Sequence, residues 1–190
     1  LRTQELLGRK KTSIERIREM KVLYIGCYRD GTGWGNAAID YILSLDAIGV
    51  DVVPRCIKLN DQQAELPKRI VELESKSSDG CDICIQHTLP HFMEYSNKFK
   101  KNIALYATET SNFVDSDWSR RINMMDEAWV INNQMAQASI SSGVNIPIKV
   151  IPHACNFSKF EETYPSVGFP SAEDNFMFYT VADWNKRKNM

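Results

Sequence analysis

At 190 residues, 43% hydrophobic and 25% charged, the chain has the composition of a folded globular domain, which excludes disordered and collagen-like classes. A formal net charge of -1 provides no clustered positive field, so nucleic acid is not an expected partner. No apolar run approaches the roughly 20 residues that span a bilayer, and the charged opening residues lack an apolar signal core, so the expected location is cytoplasmic.

Residues 1–20 read as a helical extension in which Arg2, Arg9, Lys10, Lys11, Arg16 and Arg18 outnumber the acids. A solvated helix face is the first reading of this basic segment and a peripheral membrane contact the second. Residues 21–26, Lys-Val-Leu-Tyr-Ile-Gly, read as a buried parallel strand ending in glycine, with a glycine-rich loop after it. The apolar spacing over residues 36–48 predicts a helix stopped by Gly49, and residues 51–59 a second strand. A surface helix over 62–76 and a strand over 81–86 follow. Further strands are expected over 102–107, 127–131 and 148–151, with helices over 117–125 and 133–142 between them. Strands alternating with helices imply an α/β fold, a doubly wound and mainly parallel Rossmann-like sheet, because parallel neighbours need long crossovers. Residues 21–155 form this domain, 156–175 read as a linker rich in Pro, Ser and charge, and 176–190 open a further strand, the expected start of a second domain.

In such a sheet ligands bind beyond the carboxyl ends of the strands, which selects the candidate residues. The first loop carries Gly31, Gly33, Trp34 and Gly35, and glycines let backbone N–H groups approach a phosphate. Asn36 falls where a dinucleotide fingerprint needs its third glycine, and Arg55 and Lys58 stand near the end of the second strand without a ribose-binding acid. NAD is therefore not expected; nor is a Walker loop, since no Lys-Ser or Lys-Thr follows. The competing reading of the loop is a turn that needs positive φ. His87 follows the third strand, where an imidazole exchanges a proton or holds a hydroxyl near neutral pH. His91 stands four residues on, but Pro90 interrupts helical geometry and no third ligand is visible, so no metal is expected.

Glu109 follows the fourth strand and reads either as a crevice carboxylate or as the acid at the start of a helix over 111–117. Trp118 and Trp129 read as core anchors, and Asp126-Glu127 as a turn cap. The cysteines, five of them at Cys27, Cys56, Cys81, Cys84 and Cys155, are odd in number and lie in apolar segments, which fits buried thiols of a reducing compartment. The Cys81-Asp-Ile-Cys84 spacing lacks the second pair a zinc site needs.

Several ordered blocks bear on function: Trp118, then Asn123-Met-Met-Asp-Glu-Ala-Trp-Val130, then Ser142-Gly-Val144, Ile146-Pro-Ile148 and Val150-Ile-Pro-His153. Their order and gaps resemble retaining glycosyltransferases of the family 4 (group 1) type, two facing Rossmann-like domains, and the resemblance runs from Lys21 onward. Asn132 stands where the family usually opens a helix with Ser, and Ala154-Cys155-Asn156 replaces Gly-Val-Asp. The resemblance implies that Gly31, Gly33, Trp34 and Gly35 lie near the donor diphosphate and that His87 and Glu109 are acceptor or reaction-centre residues. It also implies that Arg187 and Lys188 hold the diphosphate from the second domain, although Asp183 stands where an Arg is usual.

The function so implied is the acceptor-side part of a hexosyltransferase whose co-substrate is a nucleotide-diphosphate sugar, whose acceptor is a glycan or other hydroxyl compound, and which uses no cofactor or metal. The residues present should be inactive alone, since the family's paired glutamates of the second domain have no counterpart here. The alternative is a non-catalytic α/β binding or protein-interaction module.

Overall fold

The computed structural model describes residues 20–59, 61, 63–165 and 178. Most of the basic opening segment, the predicted strand from 176, and Arg187 and Lys188 lie outside the described residues. The chain divides into two compact units, Leu1–Asn156 and Phe157–Met190, and in the second a 3-10 turn spans Phe157–Phe160.

Among the described residues all strands belong to the first unit: β1 (Lys21–Gly26), β2 (Asp51–Cys56), β3 (Ile83–His87), β4 (Lys101–Tyr106), β5 (Glu127–Val130) and β6 (Ile148–Val150). They form one six-stranded sheet in the order β2-β1-β3-β4-β5-β6, and every pairing is parallel. The expected α/β, Rossmann-like fold is therefore the observed one. Helices α1 (Gly33–Ala47), α2 (Lys68–Glu74), α3 (Trp118–Ile122) and α4 (Asn133–Ser141) fill the crossovers.

Side-chain alternation along the strands assigns the helices to faces. Val22, Tyr24, Ile103 and Leu105 join Ile42 of α1 and Ile70 of α2 in one core. Ala104 and Tyr106 turn the other way and pack with Ile122 of α3, Met125 and Phe113. Covered on both faces, the strands are near-continuous apolar runs, which made them readable.

Helix boundaries depart from expectation for local reasons. Helix α1 starts three residues early, at Gly33, because the Thr32 side chain caps it by accepting from the Gly35 N–H at 3.2 Å. Helix α2 starts at Lys68 rather than 62, since Pro67 forces the residue before it out of the helical region and itself stands extended. No helix spans residues 111–117. As predicted, Asn132 caps α4, its Oδ1 accepting from the Met135 N–H at 2.8 Å. Arg55 is structural: its guanidinium donates to the Glu74 and Lys76 carbonyls at 2.9 and 2.7 Å, closing the end of α2.

The Asp126-Glu127 turn cap is not what forms. Asp126 Oδ2 accepts from the Asn102 N–H at 2.7 Å, and Glu127 is the first residue of β5, 4% exposed. Its carboxylate takes Trp129 Nε1–H at 2.6 Å, Lys149 Nζ at 3.1 Å, and Lys101 Nζ, bridging three strands at the amino edge of the sheet. Burial pushes this carboxyl up, but the donors of Lys101, Trp129 and Lys149 outweigh it and hold the group at about 2, below its ordinary 4.5. Such a depressed carboxyl contributes stability above pH 4.5 that is lost as pH falls toward 2. Glu127→Gln is expected to cost about 1–2 kcal/mol at neutral pH and to flatten that acid limb, as urea denaturation at several pH values would read.

Candidate functional site

The order of the strands reverses between β1 and β3, and their register sets Gly26 beside His87 at the carboxyl edge. At such a switch point the loops diverge to opposite sides, the usual ligand position of a doubly wound sheet.

The glycine-rich loop is a tight turn followed by the first turn of α1. Asp30 is buried, and its Oδ1 accepts from Thr32 N at 3.0 Å and from Thr32 Oγ1 at 2.7 Å. The first anion at the N-terminus of α1 is thus the protein's own. Gly31 has φ +68°, the left-handed region. At Gly35 a Cβ would fall 2.5 Å from Asp30 Oδ1 and 3.1 Å from the Cys27 carbonyl oxygen. Gly33 is different: a Cβ there meets nothing within 4 Å, so its absence leaves exposed backbone uncovered.

His87 is the last residue of β3 and only 2% exposed. The half-buried Trp34 ring lies 5.1 Å from the imidazole, and Tyr41 of α1 meets it edge-on at 5.7 Å. Tyr24 OH lies 2.7 Å from His87 Nδ1. Burial lifts the phenol well above its ordinary 10, so it keeps its proton. Donation to Nδ1 satisfies that buried O–H and leaves the imidazole proton on Nε2. Burial, and then the nearby His153, hold His87 down at about 4. At neutral pH it is therefore an uncharged donor, suited to holding a hydroxyl or carbonyl oxygen rather than to supplying a proton. Next along the chain, Thr88 Oγ1 is the one buried side-chain oxygen or nitrogen without a hydrogen-bond partner among the described residues.

Tyr24 and Tyr41 were not singled out from sequence, and His153 was named only as the end of the Val150–His153 block. Tyr41 OH donates to the Ile151 carbonyl at 3.0 Å, and its ring is 5.8 Å from exposed His153. The segment after β6 is thereby fastened to α1, which brings His153 near His87. The signal for His153 was present, since it too follows a strand at its carboxyl end.

Glu109 is not gathered into this cluster. It lies in the exposed loop after β4 and lines a separate cleft with residues of α4, and with no helix over 111–117 it is not a helix-opening acid. His91 stacks on Phe92 and Trp118, far in chemistry from His87. Trp118 and Trp129 are partly buried at the margins of the two cores. Cys81 and Cys84 pack with Leu23 and Val53, and burial raises both thiols, Cys84 to about 12. Cys27 is buried and Cys56 half-buried, but Cys155 is exposed, contrary to the expectation of buried thiols throughout. No family model matches the chain, and no curated protein matches it.

Gly35→Ala should cost about 1–3 kcal/mol, because Asp30 must give up its Thr32 bonds, whereas Gly33→Ala should be neutral or slightly stabilising; melting curves of the pair would separate them. His87 is neutral when folded but protonated when unfolded between pH 4 and its ordinary 6.5. Stability is therefore complete above pH 6.5 and falls as pH drops to 4, by on the order of 3 kcal/mol. His87→Gln should lack that slope in denaturation measured at pH 7, 5.5 and 4.5.

Proposed function

We propose that residues 21–155 are the acceptor-side domain of a cytoplasmic, nucleotide-sugar-dependent retaining hexosyltransferase. The observation that carries this reading is the switch point itself, where Gly33 leaves backbone uncovered and His87 and Trp34 stand against each other beyond β1 and β3. A neutral Nε2–H donor beside an aromatic face suits a sugar hydroxyl and the apolar face of its ring. Gly31 and Gly35 shape the loop, Gly33 and Trp34 face the donor, and Arg187 and Lys188 neutralise the departing diphosphate. Rate acceleration then comes from positioning and from stabilising the leaving group.

One observation favours the rival, a non-catalytic α/β binding module. The Asp30 carboxylate already occupies loop donors that a phosphate would otherwise use. Calorimetric titration with nucleotide-diphosphate sugars decides between them. The transferase reading expects binding that Arg187→Ala and Lys188→Ala each weaken about tenfold. Binding that neither substitution alters would put the module reading ahead.

A further inference from the structure

The loops after β4 and β5 enclose a second cleft of about 530 Å3, separate from the switch point. Glu109, Thr110 and Ser111 form one wall, and Asn132, Gln134 and Gln137 the other. We propose that this cleft binds an uncharged polyhydroxylated ligand, a neutral saccharide. Calling that ligand the acceptor rests on the glycosyltransferase reading, but the cleft's binding chemistry does not.

The lining has hydroxyls and side-chain amides that both donate and accept, matching the dual character of sugar hydroxyls. Met135 and Ala138 add an apolar strip against which the C–H face of a pyranose can rest. Among the described residues of the lining the one ionisable group is a carboxylate, and none is a lysine, arginine or histidine. An anionic ligand would find no cationic side chain among those residues, whereas hydroxyls and amides suit a neutral one. The volume falls within the roughly 300–1,000 Å3 of small-ligand sites.

The walls are fixed before any ligand arrives. Ser142 Oγ accepts from the Phe113 N–H at 2.8 Å and donates to the Ala138 carbonyl at 2.7 Å, tying the loop after β4 to the end of α4. Ser139 Oγ donates to the Met135 carbonyl at 2.7 Å, so at its 2.7 Å contact with Tyr106 it accepts the phenol proton, tying β4 to the middle of α4. Asn132 Oδ1 is held by the Met135 N–H, which fixes the rotamer that carries its Nδ2 donor. The backbone of both walls and the Asn132 side chain are thus set, and the exposed Gln134 and Gln137 are the side chains left for binding to order.

The test uses the whole chain on a panel of neutral mono- to trisaccharides with their phosphorylated and uronic-acid counterparts. Gln134 and Gln137 are exposed on α4, so Gln134→Ala with Gln137→Ala preserves the helix. Retention of neutral saccharides, weakened about tenfold or more in the double variant, with anionic counterparts bound no better, supports the assignment. Absence of any neutral saccharide binding, a preference for the anionic forms, or unchanged binding by the double variant overturns it. Titration of the same protein with nucleotide sugars separates the two readings: saccharide binding through the cleft without nucleotide-sugar binding supports the site and removes only its name as an acceptor site.

Discussion

The parallel pairing of β1 with β3 is the constraint from which the rest of the carboxyl edge follows. Because Gly26 lies opposite His87, the loop after β1 must turn within reach of an imidazole that the sheet has already buried. Tyr24, one pleat back on the same face, then has Nδ1 within its reach. Trp34 and Tyr41 come from α1, whose direction is set where Thr32 caps it, so a polar contact in the turn determines which aromatic rings meet the histidine.

The two ends of the sheet treat charge in opposite ways. At the amino edge Glu127 is held ionised by lysines from β4 and β6 and closes the ladder as a clamp. At the carboxyl edge His87 is held neutral by burial and by the nearby His153. The Glu127 clamp thus lies at the opposite end of the strands from His87 and the glycine-rich loop.

Much of the fold was legible because each strand is a short apolar run bounded by glycine or polar residues, and both faces of a parallel sheet demand that pattern. Less legible were the ends of elements, which depend on single contacts: Thr32 starting α1 early, Pro67 starting α2 late, and residues 111–117 staying irregular with the Phe113 N–H taken by a serine from α4. His87 was found by strand-end logic, whereas Tyr24 and Tyr41 gave no local signal, because their hydroxyl partners lie 63 and 110 positions away in the chain. Ser142 was visible only as part of a recurring block; its bridge between a loop and a helix is a three-dimensional fact that spacing does not encode. The same holds for Glu127, whose partners sit on neighbouring strands.

Strand β2 forms one border of the sheet, and Pro54 stands within it opposite Tyr24. Asp51 donates its N–H to the Met20 carbonyl just before β1 and Ile57 to the Gly26 carbonyl at its end, so alternation turns the nitrogen of Pro54 outward, where it has no hydrogen to offer. The opposite border, β6, is only three residues long and carries Lys149. Neither border gives an incoming chain a continuous template of donors and acceptors, which guards the sheet against growth into fibrous or edge-to-edge assemblies.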